Sequence, residues 1–177
     1  MQDYLFKVIA AEAGRLGMAV HIHTGAGCGG YFQVAGSNPL NLEPILNDPA
    51  LHATNFVLLH GGWPFTEQMA SMLTRPNVYT DTSAQPLMQS AARAAQSIRS
   101  WLEYAPEKVL FGTDLYSGDD GAYGWDVIGW QASHNARYAL ALALTGMMRD
   151  GEITREQALH MAQMVLHGNA EKLYRMR

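Results

Sequence analysis

The sequence predicts an α/β protein built on a parallel sheet. Three observations carry that prediction. Short strand-like runs recur along the first two thirds of the chain, at Met18–His23, Phe56–His60, Val78–Asp81 and Val109–Gly112. They are too short for helices, and several are apolar throughout and bounded by glycine, as buried parallel strands are. The segments between them have helical periodicity, and strands alternating with helices argue for right-handed crossovers joining parallel strands.

Element by element, Asp3 to Leu16 reads as a helix. Leu5, Val8, Ile9 and Leu16 recur at helical spacing, and Gly17 stands where a C-terminal cap belongs. The first strand covers 18–23, and a glycine-rich loop runs from Gly25 to Gly36. Asn41 to Leu51 reads as a helix with Pro44 in its first turn. After the strand at 56–60, Phe65 to Leu73 is a short helix closed by Arg75-Pro76, and the third strand covers 78–81. Gln89 to Tyr104 is an alanine-rich helix, and Pro106-Glu107 introduces the fourth strand at 109–112. Alanine, leucine and methionine dominate a helix from about Trp125 to Arg149. Thr154-Arg155-Glu156-Gln157 fits a capping box. Gly168-Asn169 is expected to end that helix, with Asn169 capping a last one through Tyr174.

No linker or repeat interrupts this order, so residues 1–177 are expected to form one domain. Four strands so arranged make half of an eight-stranded barrel, or a small doubly wound sheet. A half barrel leaves two strand edges unpaired, so a homodimer or larger assembly through those open edges is expected.

Composition narrows the function classes. The chain is 48% hydrophobic and 16% charged, which suits a packed core and excludes disorder. The net charge of −4 and the absence of any lysine or arginine cluster exclude a nucleic-acid footprint. Cys28 is the one cysteine, which rules out an internal disulfide framework and fits a reducing compartment. No apolar run is long enough to span a membrane, and the N-terminus has no signal-type stretch. A cytoplasmic protein without membrane association is expected.

The chemistry gathers at strand ends. The first strand ends on His23, the second on His60, and the fourth is followed by Gly112-Thr113-Asp114. Parallel α/β folds place their sites at the carboxyl ends of strands. Imidazole and carboxylate are ligands for zinc and related divalent ions. The three residues lie 37 and 54 positions apart, which excludes a compact zinc finger and suits ligands on separate strands. The ordinary alternative for each singly is a structural residue. His21 shares a strand face with His23, so it is either a further ligand or a hydrogen-bonded residue below the site.

Gly25-Ala26-Gly27-Cys28-Gly29-Gly30 has the letters of a dinucleotide fingerprint. No helix opens there and the next strand ends on His60, not an acid, so an active-site loop is the better reading, with Tyr31 and Phe32 as substrate contacts. Trp63 is a further candidate pocket residue or an ordinary packed tryptophan. Asp81 reads as a cap or a hydrogen-bonding group in the mouth of the sheet, and Asp119 and Asp120 as solvated. His52, His134, His160 and His167 fall in helical or capping contexts, and Cys28 has no base near it in sequence.

Val20-His21-Ile22-His23-Thr24-Gly25, Val57-Leu58-Leu59-His60-Gly61-Gly62-Trp63-Pro64 and Val109-Leu110-Phe111-Gly112-Thr113-Asp114 together resemble the amidohydrolase superfamily, in its amidohydrolase-2 branch of metal-dependent barrel hydrolases and decarboxylases. The ending Gly168-Asn169-Ala170-Glu171-Lys172-Leu173-Tyr174 resembles that family's C-terminal helix. The resemblance implies a partial TIM barrel whose four βα units correspond to strands five to eight. It maps His23, His60 and Asp114 onto metal-site positions of strands five, six and eight. It further implies a divalent metal, zinc foremost, a small-molecule substrate, and a metal-activated water whose proton Asp114 accepts and returns to the leaving group. The family's first-strand H-x-H pair belongs to strands this chain does not contain. The expected function is therefore a metal-dependent hydrolase represented by its C-terminal half, truncated and inactive if the missing ligands are essential. The alternatives are a decarboxylase of the same family and a non-catalytic, self-associating half-barrel.

Overall fold

A computed structural model describes residues 1–25, 27, 33–115 and 124–176. Four strands, β1 (Val20–His23), β2 (Phe56–Leu59), β3 (Val78–Asp81) and β4 (Val109–Leu110), form one parallel sheet in the order β1-β2-β3-β4. Register is continuous across it: Val20 pairs with Phe56, Phe56 with Val78, and Thr80 with Val109. The expected α/β partial barrel is the observed architecture. β1 and β4 are shorter than the sequence suggests, since regular pairing begins at Val20 and stops at Leu110.

Two-residue alternation divides the sheet into two faces. Val20, Ile22, Phe56, Leu58, Val78 and Val109 face the main core, which the helices supply. Those helices are α1 (Gln2–Arg15), α3 (Thr66–Met72), α5 (Ala91–Tyr104) and α6 (Trp125–Arg149), with a short α2 (Glu43–Leu46) and α4 (Gln85–Met88) between them. Trp101 of α5 is completely buried. The opposite face, bearing Ala19, Val57, Leu59, Tyr79 and Leu110, packs on Ala170 and Leu173 of α8 (Asn169–Tyr174). That inner face is therefore partly covered by the chain's own last helix.

Helix ends follow local chemistry. Gly17 takes φ +71 after α1 and returns its N–H to Gly14, the expected left-handed cap. The capping box at Thr154 is complete, with Thr154 Oγ1 accepting from Gln157 N and Gln157 Oε1 from Thr154 N, and it opens α7 (Arg155–Gln163).

Three expectations are corrected. Residues 41–51 do not form one helix. Prolines at 39, 44 and 49 restart the chain, and the Asn38 and Asp48 side chains cap successive short turns by accepting from Leu40 N and Ala50 N. The helix expected from Gln89 begins at Ala91, capped by Ser90, with α4 as a separate turn before it. Gly168-Asn169 does not end α7. The helix runs on through a π-helical turn, Met164–Gly168, directly into α8. Asn169 is no cap: its Nδ2 donates to Pro106 O and Val109 O, both at 2.8 Å, tying α8 to the start of β4.

The stripe on α1 has the expected spacing but points outward. Leu5, Val8, Ile9 and Leu16 are half to two-thirds exposed, while Ala10 is buried and Phe6 and Ala11 pack on the core. Among the described residues no helix is long and apolar enough to cross a membrane.

Candidate functional site

The carboxyl ends of β1 and β2 bring two imidazoles together. The rings of His23 and His60 stand edge to face, with centroids 4.8 Å apart. His23 continues the inner-face parity of Ala19 and His21. His60 does not continue that of Val57 and Leu59, so regular alternation would send it to the opposite face. His60 escapes by adopting φ +67, a left-handed conformation rare for a residue with a Cβ. Ala84 at +58 and Asp114 at +56 share this feature, so three of the four positive-φ non-glycine residues among the described residues lie just beyond strands β2, β3 and β4. Backbone strain of this kind concentrates at functional sites.

The segment after β3 surrounds His60. Asp81 Oδ1 accepts from His60 N at 2.8 Å, and Gln85 Nε2 donates to His60 O at 2.8 Å. His60 Nδ1 lies 2.8 Å from Ser83 Oγ, which donates to Asp81 Oδ1 at 2.7 Å. His60, Asp81, Ser83 and Gln85 are all buried. Serine, histidine and aspartate are the residue types of a nucleophilic triad, but the order is wrong for one. The serine hydrogen points to the carboxylate rather than to the imidazole, so nothing here activates Ser83 as a nucleophile.

Charge at the site is tuned by the same packing. His23 is exposed overall, yet partial burial of its ring, followed by the proximity of His60, pulls its pKa below the ordinary histidine range. A backbone hydrogen bond at Gly25 and the carboxylate of Asp114 pull weakly the other way. The neutral imidazole that results is the metal-binding form. Burial raises the Asp81 pKa, opposed by its hydrogen bonds from Ser83 and His60.

The remaining candidates fall in different places. Asp114 is exposed at the mouth and close enough to His23 to act on its charge. His21 is engaged elsewhere: its Nε2 lies 2.8 Å from Tyr174 Oη, below the imidazole pair. Trp63 is partly buried and lines a hollow of about 260 Å³ with Pro64, Gln89 and Arg93. Tyr31, Phe32, Cys28, Asp119 and Asp120 lie outside the described residues. Among the described residues no three histidine, cysteine, aspartate or glutamate side chains form a group that could hold a metal ion, so the assembled part of the site is the imidazole pair.

Sequence reading passed over Ser83 and Gln85 altogether. The available signal was the polar run Thr80-Asp81-Thr82-Ser83 at a strand end, where a purely structural strand would close with a turn.

The family model for amidohydrolases, of the amidohydrolase-2 type, matches residues 2–176. The chain belongs to the amidohydrolase family. This amidohydrolase-family chain is 28% identical over 168 residues to the protein fluG of Emericella nidulans, covering 94% of itself and 18% of that protein. Its fold is similar to a crystal structure from Lactobacillus casei named as a metal-dependent hydrolase. That match has a TM-score of 0.79 and 22% identity, and covers 98% of this chain and 43% of the other. A zinc-bound amidohydrolase from Burkholderia multivorans matches at a TM-score of 0.62 and 12% identity, covering 97% of this chain and 57% of that one. The amidohydrolase-family chain thus spans well under two thirds of each of these relatives.

Proposed function

We propose that this chain is the C-terminal half of an amidohydrolase-type barrel and takes part in metal-dependent hydrolysis of a small molecule. The observation that carries the reading is the edge-to-face His23–His60 pair at adjacent strand ends. The donor chemistry fits a divalent ion in part. His23 favours its neutral form, and His60 has one ring nitrogen engaged by Ser83, which leaves Nε2 as its coordinating atom. Zinc is the proposed ion, because a structurally similar amidohydrolase holds it.

When bound, the ion would supply Lewis acidity toward an attacking water or a substrate carbonyl. The chain's own residues do the rest. His23 and His60 would hold the ion from fixed strand ends. Asp114, exposed at the mouth, accepts the proton from the attacking water and returns it to the leaving group. Amide, ester and carboxylate-bearing substrates all suit this arrangement, and carboxylate loss would make the same site a lyase.

Zinc titration of the purified chain by calorimetry tests the reading. About one equivalent per chain is expected, and less than about a tenth would overturn it. Asp114→Asn is expected to keep the zinc stoichiometry while lowering turnover of any hydrolysed amide or ester by about 10²–10⁴-fold. Unchanged turnover would remove Asp114 from the proton transfer.

Self-association is the second part of the proposal. The outward stripe of Leu5, Val8 and Ile9 lies on the helix preceding the edge strand β1, where a further βα unit would pack in a closed barrel. A second copy of the chain is the proposed occupant. Sedimentation is expected to show a dimer or larger species, reduced to monomer by Leu5→Glu with Ile9→Glu. A wild-type monomer would overturn this part.

A further inference from the structure

We infer that the segment Asp81–Gln85 is a clamp that fixes His60 as its Nδ1–H tautomer before any metal arrives, with Ser83 as the positioning residue. The inference deepens the proposed function and rests on its reading of His60 as a ligand.

Three of the four polar atoms of His60, all but Nε2, are held from this one segment. Asp81 takes the backbone N–H, Gln85 holds the carbonyl, and Ser83 meets Nδ1, each at 2.8 Å. The direction of the last bond follows from hydrogen counting. Asp81 Oδ1 already accepts two backbone N–H groups, from His60 at 2.8 Å and from Ser83 at 3.3 Å, so that oxygen carries no hydrogen. Ser83 Oγ lies 2.7 Å from it, so the serine hydroxyl is the donor there. A hydroxyl has one hydrogen, and Ser83 has spent it. Toward His60 it is therefore an acceptor, and Nδ1 bears the ring hydrogen. The lone pair is left on Nε2, the atom available to an ion.

The surroundings are built to keep the clamp in place. Ser83 and Asp81 are both buried. Gly112 of the strand-four end leaves the space they occupy: a Cβ there would sit 2.6 Å from Asp81 Oδ2 and 3.1 Å from Ser83 Cβ. Thr82 faces the other way, its N donating to Leu110 O and its Oγ1 to Gly112 O, so the segment is anchored to β4 while it grips β2. Ala84 is held at φ +58 between Ser83 and Gln85, the conformation that lets neighbouring residues reach the same histidine.

Ring-nitrogen NMR on zinc-free protein, near pH 8, tests the clamp, with the His60 signals assigned by their loss in His60→Gln. Wild type is expected to show the Nδ1–H tautomer. Ser83→Ala is expected to shift His60 to Nε2–H or a mixture, and Ser83→Thr to retain Nδ1–H. An Nε2–H tautomer in wild type would overturn the inference without recourse to any variant. An unchanged tautomer in folded Ser83→Ala would overturn the role of Ser83. Zinc titration is the separate arm: Ser83→Ala is expected to weaken binding by roughly 10–100-fold, with Thr restoring it. If the tautomer behaves as expected and wild type binds no zinc, the clamp stands and the metal reading falls.

Discussion

Gly61→Ala is expected to lower the melting temperature by roughly 5–15 °C, a loss of about 2–5 kcal/mol. Two effects add. Gly61 holds φ +57, which costs a residue with a Cβ about 1–2 kcal/mol. The new methyl would also overlap the Cη2–Cζ2 edge of Trp101 and press against the amide of Gln85. Trp101 has no exposed surface and so cannot swing clear, and overpacking of this kind costs about 1–3 kcal/mol. Gly151→Ala is the control. It has φ +77 but nothing within 4 Å of the added Cβ, so only the backbone cost applies. Thermal unfolding followed by circular dichroism should rank Gly61→Ala well above Gly151→Ala. Equal losses would show that Trp101 does not wall in this position. Because Gly61 follows His60 directly, the variant should also disturb the imidazole pair.

Zinc affinity should collapse in His23→Ala and in His60→Ala, each by more than the 10–100-fold typical of losing an outer-sphere partner. His21→Gln should leave it nearly unchanged. The three histidines are close in the fold, and the contrast rests on geometry. His23 and His60 meet edge to face with 4.8 Å between centroids, while the Nε2 of His21 is occupied by Tyr174 Oη. Calorimetric titration of the three variants decides it. A loss in His21→Gln equal to that in His23→Ala would bring His21 into the ligand set and show that the bond to Tyr174 yields to the ion.

Much of the fold was legible because its signals are local. Strand ends at His23 and Asp81, the Gly17 cap and the Thr154 capping box each depend on a few neighbouring residues. What escaped was non-local or broke a local rule. His60 was found for its type and place, but alternation would point it away from His23, and only the left-handed turn at 60 brings the two rings together. Ser83 and Gln85 matter through contacts made 23 and 25 residues away in the chain. Asn169 looked like a cap because its type and the preceding glycine fit one, whereas its amide is spent on carbonyls 60 and 63 residues away. Helical periodicity identified the α1 stripe without saying whether it faces inward, since period fixes a face but not its partner. Residues 38–51 show the reverse error: three prolines, at 39, 44 and 49, and the Asn38 and Asp48 caps outweigh helical pattern in so short a segment.

The π-turn at Met164–Gly168 makes the last helix a matter of counting. Such a turn holds one residue more than an α-turn, and each residue advances the helix by about 100°. Leu173 and Tyr174 meet the inner face of the sheet because that surplus residue is there. Removing it would preserve composition, hydropathy and helical propensity almost entirely, yet rotate every later side chain by more than a quarter of a revolution. The phase of the C-terminal helix, and with it the floor beneath the two imidazoles, is thus written in the length of the chain rather than in the identity of any residue.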